Sequence, residues 1–421
     1  MTRLAVAIVM LGLLPLTAVA ESHHHTCIAQ NYGAKADGVT MDTHAIQAAI
    51  DDCSERGGGR VVLKGGTFLS APLELKSYVN LEIDKGAVLL GSKNMEDYPL
   101  REDAPWRRVA LIHASSQTNI SITGQGTIDG SGEAWWEMAR KFKKVHDTLG
   151  SEGHPRPFLI DITRSQRVRI EGLTVTNSPM YNITCFICSY LTVKGVTIRN
   201  PSNAPNTDGI DPFSCDHVLI EKVTIDTGDD DIAIKSGLVE RGEPNIATSH
   251  VVIRNSHFLH GHGLSIGSEV AGGVHDLKAS NITIENTTNG IRIKSNRGRG
   301  NDLYDLNYDK IRIINVPMPL LITEYYPRIP ATDTAQPMSM HTPRFRNINI
   351  KNVTITGARE AGEIVGLPES PVKKVKLSNI TIGAKSGLTI RDADVAMSHV
   401  VINAANGPGI IRQSHAEVDA R

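Results

Sequence analysis

The sequence predicts an all-β solenoid: a parallel β-helix, a single-stranded coil with a short helix capping its N-terminal end. Three observations lead there. Strand phrases of alternating aliphatic residues recur along most of the chain, at a spacing of one solenoid turn. The composition, with 37 Gly and only 5% aromatic residues, suits small branched side chains stacked between many turns. One amphipathic helix precedes the repeats, and almost no helical periodicity follows it. A length of 421 residues then fits one long repeat domain. A hydrophobic fraction of 40% excludes a disordered chain. A net charge of −1 gives no global attraction to nucleic acid or an acidic membrane, so neither is an expected partner.

The elements follow in chain order. Residues 1–20 read as a signal peptide: Arg3, an apolar run from Leu4 to Leu16, then the small residues Ala18-Val19-Ala20. Residues 21–421 are then one exported domain, secreted or periplasmic, and expected to be monomeric. His23 to His25 read as a solvated tail. Export permits disulfides; of the five Cys, Cys27 and Cys53 are the expected bridge, and Cys185, Cys188 and Cys215 read as buried thiols. Asp42 or Thr43 opens the helix, Ala45, Ile46, Ala49, Ile50 and Cys53 share one face, and Gly57-Gly58-Gly59 ends it.

The strand phrase begins at Asn119, Arg167, Tyr190, His217, His250, Asn281, Lys310, Asn347 and Asn379. From residue 167 the starts are 23 to 37 residues apart, and the phrases are expected to stack in one register. Asn-x-Ser/Thr occurs at Asn119, Asn182, Asn281, Asn286, Asn352 and Asn379; half of these open the phrase, which points to turn chemistry. Leucine-rich repeats lack their L-x-x-L-x-L signature, and propellers need longer units.

Four turns carry polar residues that a solenoid does not need: Asn206-Thr-Asp-Gly-Ile-Asp211, Gly228-Asp-Asp-Asp-Ile-Ala-Ile-Lys-Ser236, Gly261-His-Gly-Leu-Ser-Ile-Gly-Ser268 and Asn289-Gly-Ile-Arg-Ile-Lys-Ser295. Ile210, Ile232, Leu264 and Ile291 set their register as equivalent core positions. Asp208, Asp230, His262 and Asn289 then form one column, with Asp229 beside it. Adjacent strands lie about 4.8 Å apart, so the carboxyls gather within several ångströms. Arg292 and Lys294 flank the inward Ile293 and point outward. Clustered acids beside a His suit glycoside hydrolysis, which needs one protonated and one ionised carboxyl. The two cations suit a sugar carboxylate, Arg292 with bidentate reach. Calcium is the rival use of clustered carboxylates, but no D-x-D-x-D-G loop is present.

These residues resemble the ordered signatures of the polygalacturonases of glycoside hydrolase family 28. N-T-D stands as Asn206-Thr207-Asp208, D-D as Asp229-Asp230, G-H-G as Gly261-His262-Gly263 and R-I-K as Arg292-Ile293-Lys294. The resemblance runs softly from Asn31 to the last coils. It implies a right-handed β-helix that hydrolyses polygalacturonate with inversion and without metal or cofactor. It also implies roles: Asp229 as general acid, Asp208 with Asp230 activating water, and His262 tuning the acid. Arg292 and Lys294 would grip the galacturonate carboxylate, with Asn206 and Tyr326 (or its neighbour Tyr325) contacting substrate. Gly228 departs from the family, where many relatives carry a polar residue.

Internal cleavage is the expected mode. The alternatives are attack from a chain end, rhamnogalacturonan hydrolysis, a calcium-dependent pectate lyase, and a non-catalytic carbohydrate-binding solenoid. The insertion with Arg140-Lys-Phe-Lys-Lys144 and His154-Pro-Arg-Pro157 is a candidate wall at one end of the groove. The loop Asn296-Arg-Gly-Arg299 is a candidate source of positive potential.

Overall fold

The computed structural model describes residues 25–146 and 154–420; the expected signal peptide lies outside them. The chain winds as a parallel β-helix, each strand pairing in parallel with the equivalent strand one coil later. Three inward columns of apolar residues, nearly all aliphatic, fill its axis. One runs Ile160, Ile183, Ile210, Ile232, Leu264, Ile291, Leu320. Another runs Ile122, Ile170, Val193, Ile220, Ile253, and a third Ile128, Val175, Ile198, Ile225, Phe258. All are essentially buried. Strand alternation turns the intervening residues outward, so every coil offers its outer face to solvent or to a site.

The strand phrases stack, but not in one register. Asn119, Arg167, Tyr190, His217 and His250 share a corner, continued by Asp276, Asp305, Asn347 and Lys374. Asn281, Lys310 and Asn379 belong to a second corner with Asn255 and Asn352. The reason is local. Both corners need a residue in the left-handed region followed by an inward aliphatic one, so the same phrase occurs twice per coil. Every residue just named has φ between 50° and 57°. Asn tolerates that conformation best among residues with a side chain, which explains the sequon-like starts. Its amides also ladder: Asn281 Nδ2 donates to Asn255 Oδ1 at 2.7 Å, and Asn379 Nδ2 to Asn352 Oδ1 at 3.1 Å.

The expected helix is α1, Thr43–Glu55, with Ile46, Ala49, Ile50 and Cys53 buried over the first coil. Asp42 does not cap it with its side chain; that carboxylate accepts the N–H groups of Lys35 and Ala36 at 2.6 and 2.9 Å. Cys27 and Cys53 form the disulfide, while Cys185, Cys188 and Cys215 are free and buried.

A second helix, α2 (Glu133–His146), was not expected from the sequence. It forms the insertion, burying Trp135, Trp136 and Ala139 and turning Arg140, Lys141, Lys143 and Lys144 to solvent. Trp135, Ala139 and Phe142 have helical spacing, but the lysine-rich half hides the stripe. Among the described residues no helix is long and apolar enough to cross a membrane.

Candidate active site

The register expected for the polar turns is the one observed: Ile210 pairs with Ile232, Ile232 with Leu264, and Leu264 with Ile291. Two residues before each, Asp208, Asp230, His262 and Asn289 therefore stand in one column at the strand entrances. Close packing at these turns requires glycine. A Cβ at Gly261 (φ 128°) would come within 2.5 Å of the Asp229 carbonyl oxygen. At Gly228, the departure from the family pattern, a Cβ would sit 2.2 Å from the Ala204 carbonyl oxygen; this chain has no room for a side chain there.

The three acids differ in environment. Asp229 is the most open, its side chain 22% exposed against 4% for Asp208 and 3% for Asp230. Its Oδ1 lies 3.0 Å from His262 Nδ1, and its Oδ2 accepts from the Asn206 amide at 3.5 Å. Burial pushes the Asp229 carboxyl up, but the hydrogen bond and charge of His262 outweigh it and hold the group below the usual range.

Asp230 accepts from three donors: Arg292 Nη1 at 2.9 Å, Lys294 Nζ at 2.7 Å and Ser265 Oγ at 2.8 Å. Burial opposes its ionisation, yet Lys294, Arg292 and His262 overcome that and keep it ionised far into the acid range. Arg292 and Lys294 are thus outward-facing, as expected, but in this state they hold a carboxylate of the protein itself.

Asp208 is the reverse case. Burial, with Asp211, Asp229 and Asp230 nearby, drives its carboxyl well up despite Lys235 at 3.2 Å. Lys235 also pairs with Asp211 at 2.9 Å, and burial raises Asp211 to about 7. Two buried carboxyls sharing one ammonium leave one negative charge in excess, and a proton on Asp208 neutralises it. Among the described residues Asp208 Oδ1 has no hydrogen-bond partner.

Tyr326 stands against the cations, its ring 5.1 Å from Lys294 Nζ and 5.8 Å from Arg292 Cζ. Tyr325 instead packs on Val365 and Leu367 and donates to Asp333 at 2.8 Å. The cations of the 296–299 loop are also committed: Arg297 to Glu369 and Asp333 at 2.6 and 2.7 Å, Arg299 to Glu240 at 3.3 Å. The candidate source of positive potential is therefore largely neutralised.

Lys235, Asp211 and Ser265 escaped sequence reasoning, although each flanks an inward Ile or Leu just as Arg292 and Lys294 do. Arg156 also escaped. Its insertion looked like a rim, yet Arg156 is buried and donates to Asn206 Oδ1 at 2.6 Å and to the Pro205 carbonyl at 3.0 Å. It fixes the amide that faces Asp229. Asp229, Asp230 and His262 present oxygen and nitrogen atoms within 4.8 Å of one another, a spacing a metal could use. However, a cation there would meet two fixed positive charges already paired with Asp230.

A groove of paired carboxyls and a histidine on a β-helix, bordered by cations, is the equipment of a glycoside hydrolase. The chain belongs to glycosyl hydrolases family 28, whose sequence pattern matches residues 53–400. It is 31% identical to a probable polygalacturonase of Vitis vinifera, over 85% of this chain and 74% of the relative. It is 32% identical to an endo-polygalacturonase of Pectobacterium carotovorum subsp. carotovorum, over 86% of this chain and 89% of the relative. Its fold matches the crystal structure of a hyperthermoactive exopolygalacturonase from Thermotoga maritima, with a TM-score of 0.78 and 27% identity. That match covers 90% of this chain and 91% of the other.

Proposed function

We propose that the protein hydrolyses α-1,4-galacturonosyl linkages of polygalacturonate by a single, inverting displacement. The observation that carries this reading is the Asp230 clamp. Arg292 and Lys294, the groups suited to a uronate carboxylate, are already bound to the carboxylate of a prospective base. An incoming sugar carboxylate competes for the same two cations. As they turn to the substrate, Asp230 loses the interactions that depress its proton affinity and becomes a better base. Binding an acidic sugar and arming the water are then one event.

The remaining roles follow. As the acid, Asp229 must carry a proton when substrate is bound; its neighbour there is His262, with Nδ1 3.0 Å from Asp229 Oδ1. Asp229 is the most open of the three acids, so its Oδ2 protonates the leaving glycosidic oxygen as the C–O bond breaks. Water, held by the unpartnered Oδ1 of Asp208, attacks the anomeric carbon from the other face and gives its proton to Asp230. The names of the relatives support the substrate. On this reading residues 21–421 act as one exported, monomeric unit once residues 1–20 are removed.

The test is turnover of polygalacturonate, followed by reducing ends and by ultraviolet absorbance. Reducing ends without absorbance support hydrolysis. Absorbance growth that a chelator abolishes would replace it with a calcium-dependent lyase. Retention of anomeric configuration by NMR would exclude the single displacement.

A further inference from the structure

The substrate groove lies on the outer face of the strands that carry the acids, and its two rims are the loops entering and leaving those strands. Upstream of the catalytic coils the rims meet. Residues 98–110 enter the strand Ile112–Ser115, and residues 237–247 leave the strand Ile232–Ile234. Arg241 of the second loop lies over the Trp106 ring of the first, with its Cζ 3.8 Å from the centroid. Beneath them Arg107 is buried against Phe158 and Phe186 at 4.6 and 4.7 Å, and pairs with Asp161 of the groove floor at 2.8 Å. Floor, arginine and indole form a continuous pile across the groove.

Its distance from the acids follows from register. Ile160, Ile183 and Ile210 are equivalent, so Phe158 and Tyr181 occupy the two positions before Asp208 in the same column. Phe158 is buried under the pile, while Tyr181 stays partly open. At about 4.8 Å per coil, the clear floor upstream of Asp208 extends roughly one coil. Downstream the groove continues into a 660 Å³ cavity lined by Asn289, Arg292, Met318, Tyr326, Arg328 and Arg359 among others.

We propose that the Trp106–Arg241 bridge closes the groove on the upstream side, so that the enzyme removes sugars from a chain end instead of cutting internally. The inference rests on the polygalacturonate reading. Space for the terminal one or two sugars lies between the bridge and the scissile bond, with Tyr181 as the wall they meet, and the rest of the chain runs downstream past Tyr326.

The test is the product-size time course from polygalacturonate with the full chain, together with viscosity per bond broken. Monomer or dimer as essentially all early product, with little viscosity loss, supports the bridge. Early mixed oligomers overturn it while leaving hydrolysis intact. No reducing ends at all removes the substrate reading and this inference with it. Trp106→Ala and Arg241→Ala, each checked for folding by circular dichroism, should admit internal cuts and several-fold more viscosity loss per bond. If both folded variants keep the wild-type product pattern, the bridge is not what closes the groove.

Discussion

On the proposed mechanism, replacing Asp229 by Asn keeps its shape and removes the proton donated to the leaving oxygen. We expect kcat to fall on the order of 10²–10⁴-fold while oligogalacturonate still binds, measurable by steady-state kinetics and calorimetry. A near-normal rate would move the acid role elsewhere. Lys294→Ala should act differently: it removes the proposed charge-assisted contact to substrate but also unclamps Asp230, so KM should rise about tenfold or more with a smaller change in kcat. Methyl-esterified substrate probes the same coupling from the other side. A neutral ester leaves Arg292 and Lys294 on Asp230, so both KM and kcat should worsen; a pure KM effect would sink the coupled mechanism. The acids and cations were legible in the sequence because each stands beside an inward aliphatic residue that sets its register. Their partnership was not. That Arg292 and Lys294 bind Asp230 depends on side-chain reach across two coils, which strand spacing alone does not resolve.

Elements were legible where their pattern is periodic and local. Helix α1 announced itself by a clean apolar face and a glycine run, whereas α2 was hidden because its exposed lysines outnumber its buried tryptophans. The two corners of each coil were conflated because both impose the same left-handed residue and the same inward aliphatic. The Cys27–Cys53 disulfide closes a separation of 26 residues and ties α1 to the first coil. A loop of that size predicts a loss of about 3–4 kcal/mol for Cys53→Ser, seen as a lower midpoint in denaturant. The acids lie many coils away, so kcat/KM below the transition should be unchanged. A large loss of activity in the folded variant would mean that the cap shapes the groove.

For the molecule as a whole, buried acids set the response to pH. Asp208, Asp231 and Glu324 are pushed well up by burial, and Asp211 to about 7. In the unfolded chain such groups release their protons near 4, so between there and their folded values the native state binds more protons. Stability then declines as pH rises through that window. Asp229, Asp230 and Asp216 have the opposite shift; their contribution is complete above about pH 4 and disappears only in stronger acid. The melting temperature should therefore be higher at about pH 5 than at about pH 8, a calorimetric comparison whose reversal would refute these protonation states.

If the Trp106–Arg241 contact closes the groove as proposed, substrate has to be counted in a different way. An enzyme that must seat a terminus sees polymer ends, not polymer mass. At equal weight of polygalacturonate below saturation, doubling the chain length halves the number of entry points and should halve the initial rate. An open groove would show no such dependence, so a series of size-fractionated substrates reads the architecture directly.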